Sequence, residues 1–295
     1  MADCNSGSES PTTIVYDDDL GRGFLGNLTP SVIPHYPYQG RERFQHDFEK
    51  RFDTFQGENE WILVTGVTPE EYSRVFEPQG ENRDSVFSLG RAYDTQLKLL
   101  LLRIMASTPH EAASITFDRL LCNATRPLGV TPQPAGGIRS APKVGSKVPD
   151  QAWGLLRKIH GRSGKWPSVV LEVAYSETRA KLRSDVRYWF RASHGEVKIV
   201  FTVKIERATP RVTIEKWGVD LHGRGRSHLE QVVNIAKSGA TVAVSGAPLL
   251  LAYENLFLCP AVNATQNTIC IRENELISYA KGIWRAQGLE EIENA

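Results

Sequence analysis

Two acids, Asp150 and Glu172, stand where side-chain chemistry is most plausible in this chain. Glu172 lies inside Ser168-Val-Val-Leu-Glu-Val-Ala174, a nearly continuous apolar run of the kind that forms a strand covered on both faces. A carboxylate buried there is costly unless it meets a metal, a cation or water. Asp150 closes Lys147-Val-Pro-Asp150, where the preceding strand is expected to start. Adjacent strands lie about 4.8 Å apart, so acids projecting from neighbouring strand ends can share one hard cation. Mg²⁺ (or Mn²⁺) prefers a few carboxylates together with water and phosphate oxygens. It would polarise a phosphate and lower the pKa of an attacking water.

The surroundings are basic. Between Arg157 and Lys216 there are 14 Lys and Arg against 6 Asp and Glu, whereas the whole chain carries a formal net charge of +1. A basic module within a neutral chain fits a localised anion-binding surface, or a solvated helix face with its loops. Gly161-Arg-Ser-Gly-Lys165 lacks the spacer of a phosphate-binding P-loop, which argues against a nucleoside triphosphate.

These residues need a scaffold of strands and helices. Ser176 can cap a helix whose apolar stripe is Leu182, Val186, Trp189 and Phe190, with Arg179, Lys181, Arg183, Arg187 and Arg191 covering much of the rest. Val197 to Ile205 alternates as a strand with one apolar face, and Arg211 to Trp217 is its expected antiparallel partner. Upstream, Thr108-Pro-His-Glu111 reads as a capping box opening a helix to about Asn123. A second box, Thr68-Pro-Glu-Glu71, follows a short strand expected over Trp61 to Val67. Arg41 to Phe55 reads as an amphipathic helix, and Tyr93 to Met105 is apolar but ambiguous between helix and strand. Beyond Gly218 we expect a helix over Leu229 to Lys237, strands over Ala240 to Ser245 and Leu249 to Cys259, and a closing helix over Asn274 to Gln287.

The length of 295 residues and 41% hydrophobic content suit a sizeable core. The fold class expected is α/β, a mixed central sheet flanked by helices. Its parts are a flexible tail (1–40), an N-terminal extension (41–107), a core (108–217) and a C-terminal extension (218–295) packing on the core. The four cysteines form no CxxC pair and read as reduced, which points to an intracellular protein, nuclear or cytoplasmic. The longest apolar run, Leu97 to Met105, carries Lys98 and Arg103 and is too short to span a bilayer, so no membrane partner is expected.

Pro149-Asp150, Glu172 in its apolar strand and Glu111 on a preceding helix resemble the PD-(D/E)xK nuclease superfamily, with its restriction-endonuclease-like core. Trp166-Pro-Ser-Val-Val-Leu-Glu-Val-Ala-Tyr-Ser176, together with Leu182, Asp185, Trp189 and Glu196-Val-Lys-Ile-Val200, resembles more closely a fungal branch related to bacterial DUF820-type endonucleases. The resemblance covers about Thr108 to Trp217. It implies a metal-dependent nucleic-acid phosphodiester hydrolase, with DNA favoured over RNA and homodimerisation allowed. Asp150 and Glu172 would be the metal ligands, and Glu111 would orient the metal-bound water or complete its shell. Arg179, Arg183, Arg187 and Lys165 would contact nucleic acid. The chain departs from the pattern at Ala174, where the superfamily has lysine; Lys181 on the following helix is the candidate replacement, with Arg179 or Arg183 as alternatives.

Each residue also has a plainer role. Glu111 can be a capping residue only, Asp150 a loop start after Pro149, Glu172 a salt-bridge partner of a helix arginine, and Lys181 a surface lysine. The alternative function is a catalytically degenerate module of the same fold, acting in nucleic-acid binding or protein interaction, with Ala174 as its main support. Geometry separates the two. The hydrolase needs both carboxylates within reach of one cation with a lysine nearby. A buried arginine pair on either carboxylate favours the degenerate module.

Overall fold

The computed structural model describes residues 33–54, 61–77, 86–104, 107–130, 132–134, 139–141, 145–154, 159–175, 179–220, 226–261 and 267–290. In chain order the first strands and helices are β1 (His35–Pro37), α1 (Arg41–Thr54), β2 (Trp61–Thr65), α2 (Pro69–Glu71), β3 (Gly90–Asp94), β4 (Leu99–Arg103) and α3 (Thr108–Thr125). Short strands β5 (Gln133–Pro134), β6 (Arg139–Ala141), β7 (Gly145–Lys147) and β8 (Gln151–Gly154) lead to β9 (Val169–Ala174), α4 (Arg179–Ala192) and β10 (Ile199–Ile205). The chain continues through β11 (Arg211–Asp220), β12 (Arg226–Ser238), β13 (Thr241–Ser245), β14 (Leu249–Ala252), α5 (Tyr253–Phe257), β15 (Thr268–Ile271) and α6 (Glu273–Ala286).

The fold is α/β, with mixed sheets flanked by helices. A seven-stranded sheet runs β13-β12-β11-β10-β9-β8-β5, and only its β9–β10 pair is parallel. The expected strand–strand–helix–strand run is therefore present as β8–β9–α4–β10. A six-stranded sheet runs β1-β2-β4-β3-β7-β6. The chain passes between the sheets at residues 148–150, between β7 in one and β8 in the other.

Alternation along β9 assigns its two faces. Val169, Leu171 and Val173 pack with Ala113, Phe117 and Leu121 of α3 and with Tyr279, Ala280 and Ile283 of α6. Val170 packs instead with Val186 and Trp189 of α4 and with Leu63, Ala92 and Leu101 of the six-stranded sheet. Period two puts Glu172 on that second face, beneath α4 and against the other sheet. The far side of the six-stranded sheet buries an aromatic cluster that includes Phe44, Phe48, Tyr72, Phe76 and Tyr93.

Several expectations are refined. Of the ambiguous Tyr93 to Met105 stretch, the described residues 93–104 belong to a hairpin: Asp94 Oδ1 accepts from the Gln96 and Leu97 N–H groups at 2.9 Å, and Lys98 takes φ 54°. An aspartate that satisfies turn amides in this way breaks what would otherwise read as one apolar run. The capping box at Thr68 is present, with Glu71 N–H donating to Thr68 Oγ1 at 3.2 Å. The one expected at Thr108 is absent, because α3 starts a residue earlier with Ser107 at its N-cap and makes no side-chain cap bond. The helix expected over Leu229 to Lys237 is instead strand β12: Val232, Val233 and Ile235 are β-branched, and the strand pairs with β11 over ten residues. The Leu249 to Cys259 segment is strand only to Ala252 and then turns into α5. Ser176 and its cap lie outside the described residues.

Candidate functional site

The crossover between the two sheets brings the acids together. Asp150 sits at the bend before β8 and Glu172 in the middle of β9. Both line a cavity of about 20 Å³, room for one water or a bare ion. Trp61, Arg91, Arg103, Lys147, Val148, Val173, Lys181, Leu182 and Asp185 complete its wall.

Asp150 is fully engaged. Its Oδ1 lies 3.1 Å from Arg103 Nη2 and 3.2 Å from His110 Nε2, and its Oδ2 accepts the Val173 N–H at 2.8 Å. Burial alone would raise its pKa, but the charges of His110 and Arg103 and the two hydrogen bonds outweigh that and hold the carboxyl well below its usual range. Arg103 reaches it because β4 alternates, with Leu101 and Arg103 on the face toward α4. Its guanidinium also lies 5.4 Å from the centre of the Trp61 ring, and its Nη1 stands 2.8 Å from His110 Nε2, a nitrogen that can accept from Arg103 only when it is not donating to Asp150.

Glu172 is 4% exposed, and it too has partners. Lys147 Nζ donates to it at 3.0 Å and Trp189 Nε1 at 2.6 Å. The Lys147 ammonium lies 3.5 Å from Asp185, which Lys181 also bonds one helical turn away on α4. One ammonium thus serves two carboxylates. Burial pushes the Glu172 carboxyl up to about 7; Lys147 opposes this, while the negative charges of Asp185 and Asp150 add to it. Burial would lower the Lys147 ammonium, but Asp185, Glu172 and Asp150 overcome it and raise it to about 12, so the cation stays charged.

The expected site residues divide into three groups. Asp150, Glu172 and Lys181 meet at the cavity, and Lys181 is buried rather than a surface lysine. Glu111 is exposed and does not line the cavity: with α3 starting at Thr108, the inward position goes to His110. Arg179 and Lys165 are exposed and Arg183 and Arg187 half-buried, all outside the cavity wall. Glu172 does form a salt bridge, but with a strand lysine rather than a helix arginine.

Sequence reasoning passes over Lys147, Arg103, His110 and Arg91 as site residues. Lys147 is legible inside Lys147-Val-Pro-Asp150. Arg103, a charge within an apolar stretch, signals a buried partner. Arg91 carries no such signal. It occupies the irregularity where the β3 register skips between Gly90 and Ala92, and a bulge of this kind re-aims one side chain. Its Nε is buried without a hydrogen-bond partner among the described residues.

Carboxylate oxygens are the right donor type for Mg²⁺ or Mn²⁺. The charge balance is not. Arg91, Arg103, Lys147 and Lys181 set four cations against the three carboxylates Asp150, Glu172 and Asp185 around one cavity. A divalent ion would enter a wall that is already net positive, against carboxylates already bonded to cations. Among the described residues no three His, Cys, Asp or Glu side chains stand close enough together to hold a metal ion. The residues present do not fit a resident divalent metal.

No protein-family model matches the sequence, and comparison with curated proteins gives no match. Among solved structures, one from Anabaena variabilis, described as a candidate nuclease belonging to DUF820, aligns over 73% of this chain and 99% of its own, at 12% identity and a TM-score of 0.40. A likeness at that level says nothing about chemistry. Among the described residues no helix is long and apolar enough to cross a membrane.

Proposed function

We propose that this protein is a catalytically degenerate module of nuclease-like architecture that binds the phosphate backbone of nucleic acid, with DNA favoured over RNA. The observation that carries this reading is the state of the two acids: Asp150 is bonded by buried Arg103, and Glu172 by buried Lys147. Neither is left as a bare pair of ligands. An anion suits the surplus of positive charge around them better than a metal does. Outside the cavity, Arg179, Arg183 and Arg187 follow one another at every fourth position of α4, so they share a stripe, and Lys165 adds charge from a neighbouring loop. Such a stripe can follow a phosphate backbone, with affinity that falls as salt rises.

Fluorescence anisotropy with labelled single- and double-stranded DNA and RNA tests this, with a cleavage assay in Mg²⁺ or Mn²⁺ run on the same samples. The expected result is salt-dependent binding and intact nucleic acid. On duplex DNA, Arg179→Ala and Arg187→Ala should each reduce the slope of log K against log salt by about 0.9 for every phosphate no longer neutralised.

One observation favours a second reading, a metal-dependent hydrolase. Asp150 and Glu172 do share one ion-sized cavity with Lys147 and Lys181. In that reading Asp150 and Glu172 would hold Mg²⁺ or Mn²⁺, which would polarise a phosphate, and Lys181 would stabilise phosphate charge. Divalent-dependent cleavage that disappears in Glu172→Ala would establish it. A protein that neither binds nor cuts any of the four substrates would refute both readings.

A further inference from the structure

Three carboxylates from three parts of the chain surround one small cavity: Asp150 from the crossover, Glu172 from β9 and Asp185 from α4. Buried oxygens in such a group must be compensated by a cation. The group at the centre of this cluster is the Lys147 ammonium, 3.0 Å from Glu172 and 3.5 Å from Asp185. Lys147 does not come from the strand or helix that carries the acids. It projects from β7, which pairs with β3 of the other sheet through Lys147 and Ala92. It is 5% exposed, and its ammonium also faces the Trp189 ring at 5.8 Å.

We infer that the Lys147 ammonium is the built-in cation of this acidic cluster, tethered by the six-stranded sheet in the position from which one small cation would otherwise neutralise Glu172 and Asp185. Of the other three cations in the wall, two are committed elsewhere, and Arg91 lines the cavity with its Nε lacking a hydrogen-bond partner among the described residues. Lys181 bonds Asp185, and Arg103 bonds Asp150. Glu172 is bonded by the Lys147 cation and by the neutral Trp189 N–H. Removing the ammonium would leave Glu172 a buried carboxylate next to an enlarged cavity, facing Asp185 across it. Those two carboxylates would offer oxygen donors to one small cation, with water completing its shell. The inference rests on the same reading of the site as closed to a resident metal, but it does not depend on nucleic acid.

The test uses the full chain, stripped with a chelator, as wild type, Lys147→Met, Glu172→Gln and the double variant. Uptake of Mn²⁺ is followed by loss of the free-ion electron paramagnetic resonance signal, and stability by thermal melting with and without Mn²⁺. Wild type should take up no Mn²⁺ at micromolar concentrations and should melt at the same temperature with or without it. Lys147→Met should melt lower, bind Mn²⁺ and regain about 5–10 °C when the ion is at a hundredfold excess over its dissociation constant. The double variant should lose that uptake. Micromolar Mn²⁺ uptake by wild type that Glu172→Gln abolishes would overturn the inference. So would a folded Lys147→Met that neither binds Mn²⁺ nor is stabilised by it. If Lys147→Met fails to fold with or without Mn²⁺, the wild-type titration decides: uptake lost in Glu172→Gln overturns the inference, and no uptake upholds it. No sample contains nucleic acid, so failure here leaves the binding proposal standing, and a failed binding assay leaves this inference standing.

Discussion

Arg103 shows at the scale of single residues why this site resists simple labels. It is nearly fully buried, yet its charge is spent on Asp150 and the Trp61 ring. Breaking a buried pair strands the surviving charge, at a cost of about 3–5 kcal/mol. Arg103→Ala should therefore lose about that much stability in urea denaturation. Glu172 gives a second prediction, set by pH. Its folded-state pKa is raised from 4.5 to about 7, so the folded state holds the proton more tightly than the unfolded chain. The stability this contributes is present below the unfolded value and is lost as pH rises through 7. The wild type should thus lose stability between about pH 5 and pH 8, by at most on the order of 3 kcal/mol. Glu172→Gln should flatten that slope, and equilibrium unfolding at several pH values measures it. Asp150 acts in the opposite sense: its depressed pKa adds stability that is lost only as pH falls below the ordinary carboxylate range.

Helices and strands divide their labour by face. On α4 the positions that pack and the positions that meet solvent alternate with helical period: Val186, Trp189 and Phe190 enter the core, Lys181 and Asp185 face the cavity, and Arg179 is exposed. On α3, Phe117 is fully buried against Trp153, Phe201 and Tyr279. Phe117→Ala should cost about 3–5 kcal/mol, whereas Arg179→Ala should stay within about 0.5 kcal/mol, and urea melts of the two would separate them. The helical stripes of α1, α3, α4 and α6 are legible because each has a clear 3.6-residue period. β12 is not. Leu229, Val232, Val233 and Ala236 imitate a helical stripe, and long antiparallel pairing with β11 overrides it.

For the whole molecule, the two sheets form one structure rather than a core with an appendage. Leu63, Ala92 and Leu101 of the six-stranded sheet share a cluster with Val170, Trp189 and Val200. The Arg103–Asp150 pair and Lys147 cross the same boundary. The protein should therefore unfold in a single calorimetric transition with equal van't Hoff and calorimetric enthalpies. Two resolved transitions would show the sheets to be independent. The seven-stranded sheet also continues past residue 217 through β12 and β13, so the segments expected as core and C-terminal extension are joined by backbone hydrogen bonds.

The local pieces are legible along the chain. A buried strand around one carboxylate, a basic amphipathic helix after it and an acid after Pro149 all follow from residue type and period, which act over a few neighbours. Even Lys147 and Arg103 are visible as charges in unusual company. Which acid meets which cation is set by packing between the two sheets. Arg103 and Lys147 bond the acids across a sheet boundary, and Arg91 joins the cavity wall from a bulge; the arrangement also depends on register and on α3 starting a residue early, so that His110 takes the inward place of Glu111. Charge compensation in a buried site is a property of space, and short-range sequence patterns do not record it. The same acids that read as metal ligands along the chain are, in the fold, the partners of its own cations.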